Sequence, residues 1–219
     1  MTTSANLTSM RSLGLSRDVA HTNFVHLLSA RGPDSALDLR GNAYGLGVAE
    51  VSELAFEAGF RHARHTPGEH GESALLEAPA SHPLVEDWWE TPVGALTTFE
   101  ADIISVKRAP AGSAVSYGYH YRTPAETTLV LVSVGFADGL PRSASGKAQV
   151  SLGSGTHPIA GRIALDQCVV DVGDEEVSVG DRATIWGAHP SLSQWATWAK
   201  RPAGSLLARV GSRVVKTWR

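Results

Sequence analysis

Cysteine is almost absent from this sequence of 219 residues, since Cys168 is the single one. A disulfide within the chain is therefore excluded, and a reducing compartment such as the cytoplasm is the expected location. Long apolar runs are missing as well. No stretch approaches the roughly 20 apolar residues of a membrane span, and residues 1–16 hold no apolar run of signal-peptide length. We therefore expect a cytoplasmic protein without a membrane anchor.

A strong excess of charge of either sign is also lacking, because the formal net charge is −3. Nucleic-acid-binding domains normally carry a basic face or stripe. Basic residues do recur between positions 201 and 219, but a solvated charged surface explains them more simply. We therefore expect no nucleic-acid partner.

The first part of the chain follows a helix–strand–helix pattern. Residues 1–15 are expected to form an irregular leader. Helical spacing of apolar residues follows over Arg17–Ala30, after the favourable N-cap Ser16. A short strand is expected at Ser35–Leu39, and a second helix at Val48–Ala58 ends before a glycine. Many α/β domains begin in this way, so the pattern alone does not identify the fold.

The next segment, Phe60–Pro92, lacks a regular pattern. His, Pro, Gly, Glu and Ala dominate it, and its one bulky cluster is Trp88–Trp89. A connection of this length without secondary structure is uncommon in a compact domain and usually marks a linker, a functional loop or a past deletion. We favour the deletion.

From Ala95 onward the sequence changes to short β-strands separated by turns rich in Gly, Pro and Asp. Many short strands at close spacing favour a closed or nearly closed barrel or a sandwich. Two short helices and a final extended segment complete the pattern. The expected strands are 99–103, Thr127–Val134, Ala148–Leu152, Gln167–Val172 and Arg182–Trp186, followed by helices Ser191–Lys200 and Gly204–Val210 and the extended segment Arg213–Trp218.

Three clusters in this second part are Val115–Gly118, Gly135–Arg142 and Pro158–Asp166. In this order and at this spacing they resemble the C-terminal β-domain of the bacterial alanine racemases, enzymes that interconvert L- and D-alanine on pyridoxal phosphate. The resemblance implies an α+β protein, mainly β, in which residues 1–94 are a remnant of the family's barrel and residues 95–219 a β-barrel-like domain. A complete (β/α)₈ barrel is not expected, because it takes about 250 residues.

Tyr117 matches the tyrosine that serves this family as its second catalytic base, opposite the cofactor lysine. A phenol with an ordinary pKa of about 10 is a poor base near neutral pH. The family therefore needs a positive environment and a firmly held substrate. A tyrosine at a strand end, with its ring packed and its hydroxyl in water, is the alternative and purely structural explanation.

The same resemblance places five residues along the approach to the active site. Arg142 and Arg162 match family arginines, and a planar guanidinium can orient a small carboxylate. Phe136 replaces a tyrosine, so one polar contact is lost. Leu165 stands before Asp166 where the family commonly has methionine, and the Leu165 amide can still donate to a substrate carboxylate. Asp166 can equally be a turn residue that holds the sheet.

The cofactor lysine has no counterpart in the matching motif. Leu39–Gly47 is similar to the family's Lys-Ala-Asn-Ala-Tyr-Gly-His-Gly, with Arg40 in the lysine's place. A guanidinium stays protonated in proteins, so it can neither bond covalently to the cofactor aldehyde nor act as a base. Tyr44 matches the family's phosphate contact. Trp218 falls near a C-terminal tyrosine that also contacts the phosphate, although indole has a different reach.

Only four lysines are present, Lys107, Lys147, Lys200 and Lys216. None has a recognisable glycine-rich neighbour at the end of a barrel strand, so we do not expect a substitute for the cofactor lysine. We therefore predict a non-catalytic protein that binds no cofactor and has a binding, dimerisation or regulatory role. The alternative is a pyridoxal-phosphate-dependent racemase or related isomerase that uses a different lysine.

Racemases of this family form head-to-tail dimers in which the β-domain of one subunit completes the active site of the other. The resemblance therefore implies a homodimer or an association with a full-length alanine racemase. His62, His65 and His70, with Glu69 and Glu72, have side chains suited to zinc. Their spacing fits no standard motif, so we expect a histidine-rich surface loop and no metal site.

Overall fold

The computed structural model describes residues 9–90 and 94–219. It is a mixed α and β protein in which strands predominate, as predicted. The elements of the first part are β1 (Arg11–Leu15), α1 (Arg17–Arg31), β2 (Ala36–Asp38), α2 (Arg40–Gly45), α3 (Val48–Glu57), β3 (His62–Arg64), β4 (Leu76–Glu77) and β5 (Leu84–Val85). Those of the second part are β6 (Thr97–Ala109), β7 (Ala114–Val115), β8 (Tyr121–Arg122), β9 (Thr127–Val132), β10 (Gln149–Leu152), β11 (Gly155–Pro158), β12 (Cys168–Gly173), β13 (Arg182–Trp186), α4 (Leu192–Ala199), α5 (Ala203–Leu207) and β14 (Val215–Trp218).

An eight-stranded sheet organises the second part. Its main path runs in the order β11, β10, β13, β6, β1 and β14, and β9 pairs with both β6 and β12. Along β6, residues alternate between buried and partly exposed from Thr97 to Ile103, as expected for a strand with one face on the core. The register shifts after Ile103. Because β6 pairs with β1 and β13 before that shift and with β9 after it, one strand joins both halves of the sheet.

Strand β1 corrects the expectation of an irregular leader over residues 1–15, of which residues 1–8 lie outside the described part. Arg11–Leu15 pairs antiparallel with β6 and parallel with β14. Leu13 and Leu15 are buried, so their alternation with smaller residues gives the strand one apolar face. The division of the chain at residue 94 remains a prediction, and β1 is a strand that the first part adds to the sheet of the second.

A second sheet of four short parallel strands lies in the first part, in the order β4, β3, β2, β5. The expectation that Phe60–Pro92 lacks secondary structure is therefore wrong, because three of these strands lie within it. Strands of two or three residues offer too few alternating positions for a periodic pattern to reveal them. Within residues 9–90 and 94–219 there is no complete (β/α)₈ barrel, since the parallel sheet stops at four strands.

The buried apolar residues of both parts form one continuous core. Trp88 is fully buried, and its ring lies 5.6 Å from that of Phe24 and 6.4 Å from that of Tyr44, centroid to centroid. Its indole N–H donates to the Asp38 carbonyl at 2.9 Å. These contacts lie within the first part, and the shared core shows that this part is packed onto the second. The helices of the described segments are all too short or too polar to cross a membrane.

Candidate functional site

The glycine-rich motif, which contains the element α2, is not a regular right-handed helix but a left-handed turn directly after β2. The φ angles of Gly41, Asn42, Ala43 and Tyr44 are 65°, 55°, 52° and 58°, a conformation that costs a residue with a side chain roughly 1–2 kcal/mol. The Asn42 side chain offsets part of this cost, because its Oδ1 accepts a hydrogen bond from the Val48 amide at 2.9 Å, at the start of α3. We call Arg40–Gly47 the left-handed turn below.

Arg40 is held at the start of this turn by Asp38. Its Nε and Nη2 each donate to a different carboxylate oxygen at 2.8 Å, and the Tyr44 hydroxyl donates to Asp38 Oδ2 at 2.7 Å. Burial acts to raise the pKa of Asp38, but the hydrogen bonds from Arg40 and Tyr44 outweigh it, and the pKa lies below its usual value. Hydrogen bonding to Asp38 also raises the pKa of Arg40. The Arg40 side chain is therefore a permanent cation.

Lys216 lies beside the same turn, a proximity that the sequence analysis missed. Its Nζ donates to the Gly45 carbonyl at 2.6 Å, and partial burial lowers the pKa of the ammonium group. Within the described ranges no carboxylate forms an ion pair with it. Lys216 is therefore not at the end of a barrel strand, but the fold gives it a glycine-rich neighbour. The parallel pairing of β14 with β1 carries it there, and no local signal encodes a contact between such distant residues.

Of the two predicted phosphate contacts, Tyr44 belongs to the left-handed turn and Trp218 lies beside it. The Trp218 indole N–H donates to the Leu46 carbonyl at 3.4 Å, and the Tyr44 ring lies 4.1 Å from that of Trp89. Gly204 of α5 makes this packing possible, because a Cβ there would lie 2.6 Å from Trp89 and 3.0 Å from Tyr44. Burial, followed by the bond to Asp38, raises the pKa of Tyr44. A phosphate-binding role for either residue remains a prediction.

A second cluster surrounds a cavity of about 380 Å³ in the β-domain, which we call the Tyr117 pocket. Tyr117 and Arg162 both line it, so two residues predicted from separate clusters meet here. Tyr117 is 71% exposed, which leaves its ring largely in solvent. The packed structural tyrosine considered as the alternative is therefore not what the fold contains. Catalysis by Tyr117 remains a prediction.

The turn that carries Tyr117 is strained and held by its neighbours. Ser116 has a φ of 61° and Tyr119 a φ of 52°, and such conformations persist only where the surroundings enforce them. The Ser116 hydroxyl donates to the Arg162 carbonyl at 2.7 Å. Gly161 permits this approach, since a Cβ there would lie 2.9 Å from the Ser116 Cβ. The turn and the Arg162 loop are thereby locked together.

The remaining predicted residues lie on two loops that meet at Gly135. The Arg142 guanidinium carbon is 5.3 Å from the centre of the Phe136 ring, a cation–π contact. A Cβ on Gly135 would lie 2.5 Å from the Leu165 backbone. Asp166 is exposed, and in the described part of the chain the Leu165 amide has no hydrogen-bond acceptor. The structure thus groups Phe136, Arg142, Leu165 and Asp166, but their roles toward a substrate remain predictions.

The histidine-rich segment gives no metal centre among the residues that the structure describes, where no group of three or more metal-ligating side chains occurs. The Nδ1 atom of His65 pairs with Glu77 at 2.7 Å. The His62 ring packs edge-on against His82, with 4.6 Å between ring centres. The side chain of His70, the third histidine of the cluster, lies outside the described part.

Comparison with sequences of known proteins places the resemblance on residues 96–218, which match the family model "Alanine racemase, C-terminal domain". The chain is 42% identical over 125 residues to the alanine racemase of Streptomyces coelicolor, covering 55% of this chain and 32% of that protein. It is 32% identical over 213 residues to the alanine racemase of Thermobifida fusca, covering 89% and 55%. The chain therefore spans between a third and just over half the length of these curated relatives.

Solved structures share the fold. The alanine racemase from D-cycloserine-producing Streptomyces lavendulae aligns with a TM-score of 0.82 at 21% identity, and the alignment extends over 98% of each chain. The alanine racemase from Bartonella henselae with covalently bound pyridoxal phosphate aligns with a TM-score of 0.81 at 16% identity, over 96% of this chain and 100% of that one. Identities this low support the fold alone. The family match over more than half of the sequence goes further: this chain belongs to the alanine racemase family, through that family's C-terminal domain.

Proposed function

We propose that this chain is a non-catalytic member of the alanine racemase family whose β-domain docks on a full-length alanine racemase. The Asp38–Arg40 pair carries the proposal, because a guanidinium fixed by two hydrogen bonds occupies the position that matches the cofactor lysine. The amine to which the cofactor attaches is absent there, and so is one of the family's two bases. A phenol in solvent, Tyr117, is not enough to replace them.

Pyridoxal phosphate does not fit Arg40 and Tyr44 of the left-handed turn. When an amine carries it, this cofactor supplies an electron sink for the bonds of an amino acid. Arg40 offers no such amine, because its pKa is raised further by Asp38. The Tyr44 hydroxyl, which would contact the phosphate, donates to Asp38 instead. We therefore assign no cofactor to Arg40.

The surface around the Tyr117 pocket supports docking, and we call it the Tyr117 face. Exposed fractions are 71% for Tyr117, 67% for Tyr119, 54% for Leu165 and 40% for Phe136. Aromatic residues and arginine are enriched at protein interfaces, and grouped exposed apolar side chains indicate contact sites. In the family's head-to-tail dimers this part of the β-domain meets the barrel of the partner. The single free cysteine supports the cytoplasm as the place of this encounter.

Light scattering after size-exclusion chromatography tests the docking proposal. The chain is mixed with the full-length alanine racemase of Streptomyces coelicolor or Thermobifida fusca, and we expect a mixed complex. Leu165→Arg should weaken it by about tenfold or more, because a charge would be buried in the contact. Val179→Arg is the matched control, since Val179 is 64% exposed on the loop between β12 and β13.

Absence of a mixed complex with either racemase contradicts the docking proposal. If the chain instead forms a complex of two copies that Leu165→Arg dissociates and Val179→Arg leaves intact, the Tyr117 face is a self-association surface. If Leu165→Arg and Val179→Arg weaken association equally, the Tyr117 face mediates neither docking nor self-association.

Lys216 favours a second candidate function, a pyridoxal-phosphate-dependent enzyme with a relocated lysine. A half-buried amine whose pKa is lowered by burial is more often uncharged, and therefore more nucleophilic, than an exposed one. Its contact with Gly45 places it at the glycine-rich motif. Incubation with pyridoxal phosphate, borohydride reduction and peptide mapping separate the two candidates.

The main proposal predicts no stoichiometric label on any lysine. One label per chain on Lys216 that disappears in Lys216→Arg and persists in Lys147→Arg would overturn it in favour of the enzyme. Lys147 is a suitable control because it is exposed and its ammonium also donates to a backbone carbonyl, that of Ser143.

A further inference from the structure

A histidine–arginine pair lies at the Tyr117 pocket. Nη2 of Arg162 is 2.7 Å from Nε2 of His120, and both side chains are exposed. Both side chains approach Gly118 closely, and a Cβ there would lie 3.1 Å from the His120 ring and 3.2 Å from Arg162. The missing side chain of Gly118 therefore leaves room for the pair. A guanidinium only donates hydrogen bonds, so Nε2 must accept and the imidazole must be neutral. The contact therefore exists only while His120 is uncharged.

The Tyr117 pocket, which Arg162 lines, contains little negative charge. In the part of the chain that the structure describes, no carboxylate lines the Tyr117 pocket. The ionisable groups that do line it are Tyr117 and Tyr119 on the turn, Arg162 on the loop before β12, and Cys168 on β12. The nearby carboxylate of Asp171 on β12 is itself occupied by the hydroxyl groups of two neighbouring side chains. A carboxylate that enters the pocket beside the pair therefore meets the Arg162 cation and no acid in the lining.

We propose that His120 and Arg162 form a carboxylate-binding site that becomes available when His120 takes up a proton. Protonation removes the lone pair that accepts from Arg162 and sets two cations side by side, which repel each other. A carboxylate between them accepts one hydrogen bond from the imidazolium and one or two from the guanidinium, all charge-assisted. Acidification, which adds a proton to an imidazole, is therefore expected to fill the site.

The ligand class is a carboxylate, supplied by a small acid or by an acidic side chain of a docked protein. The second source rests on the proposed docking function, whereas the first needs only this chain. Acetate is therefore the probe, because it stays mostly ionised at pH 5.5 and carries the same charge at pH 8. Binding is followed by the shifts of backbone amide signals around the pocket in NMR titrations.

We expect acetate to bind the unmodified chain about tenfold more tightly at pH 5.5 than at pH 8, the effect of one added charged hydrogen bond. His120→Gln keeps an acceptor for Arg162 but cannot titrate, so its acetate affinity should not change with pH. Arg162→Gln should bind weakly at both pH values. His26→Gln alters an exposed histidine on α1 and should behave like the unmodified chain.

Acetate binding that does not change with pH in the unmodified chain overturns the proposal. The same holds if His120→Gln retains the pH dependence or if Arg162→Gln retains the affinity. Because the titrations use no racemase, their failure is distinguishable from failure of docking. To separate the two ligand sources, association with the racemase is measured at both pH values. Stronger association of the unmodified chain at pH 5.5 that is lost in His120→Gln identifies a carboxylate of the docked protein. Association that does not change with pH identifies a small acid.

Discussion

Replacing Asp38 by asparagine tests how firmly the Arg40 position is fixed. The carboxylate is buried and accepts four hydrogen bonds: from the Arg40 amide at 3.1 Å, from Arg40 Nε and Nη2 at 2.8 Å each, and from the Tyr44 hydroxyl at 2.7 Å. Asparagine keeps the shape and one acceptor oxygen but presents a donor in place of Oδ2, so two of the four bonds are lost. A hydrogen bond to a charged group contributes about 1.5–3 kcal/mol.

The loss of the two hydrogen bonds costs less than twice this value. The reason is that 51% of the Arg40 side chain is accessible to water, which solvates the freed guanidinium. We therefore expect Asp38→Asn to lower the free energy of unfolding by about 3 kcal/mol. The matched control is Asp174→Asn, which removes a carboxylate that is 86% exposed from its pair with Arg108. Water screens an exposed pair almost completely, so the control should change little.

Urea denaturation at pH 7, followed by circular dichroism, measures both variants. A loss below about 1 kcal/mol, or equal losses for Asp38→Asn and Asp174→Asn, would refute the claim that the buried pair stabilises the turn. The pH dependence adds a second check. The folded pKa of Asp38 lies below its unfolded value, so its contribution is present above about pH 4 and is lost as pH falls through the folded pKa. The difference between the unmodified chain and Asp38→Asn should therefore shrink in acid.

Three further predictions concern the β-domain. Gly135→Ala should destabilise the fold by about 1–3 kcal/mol, because the new Cβ would lie 2.5 Å from three backbone atoms. Gly71→Ala is the control, since its Cβ would meet no atom within 4 Å. Thermal unfolding should show a loss of stability in the first variant only. Burial, and then the bond to Asp171, raises the pKa of Tyr121 to about 12, so that bond stabilises the fold below pH 10 and is lost as pH rises toward 12. Ultraviolet titration should show this late-ionising tyrosine and its loss in Tyr121→Phe. Burial raises the pKa of the Cys168 thiol to about 12, so Ellman's reagent at pH 8 should label it only after unfolding; rapid labelling of the native chain would contradict this.

Local patterns were sufficient for α1, α4 and β13, but not for the longest strand, β6, which runs from Thr97 to Ala109 where only 99–103 was expected. Ser16 accepts a hydrogen bond from the Val19 amide, as an N-cap should, and α1 runs from Arg17 to Arg31. The strand expected at Arg182–Trp186 has those bounds. Ser191 caps α4 in the same manner as Ser16 caps α1. In each case a cap or an alternating run is encoded by neighbouring residues, so tertiary contacts reinforce a choice that the local sequence already favours.

Short elements escaped the sequence analysis. β3, β4 and β5 have two or three residues each, and their pairing partners, not their own patterns, make them strands. Strand β1 was overlooked for the same reason. Its apolar residues Leu13 and Leu15 form part of a sheet only by pairing with β6, in the middle of the chain, and with β14, at its far end.

The sequence by itself determined the family and the identity of the residue at the lysine position, because motif order and the chemistry of arginine are local properties. Only the tertiary structure decided what surrounds those residues. In the folded chain Arg40 is hydrogen-bonded to Asp38, Lys216 to the Gly45 carbonyl, and Arg162 to His120. Each of these contacts depends on strand pairing or loop geometry. The charge, the hydrogen-bond partners and thus the chemistry of a side chain are set by the neighbours that folding provides.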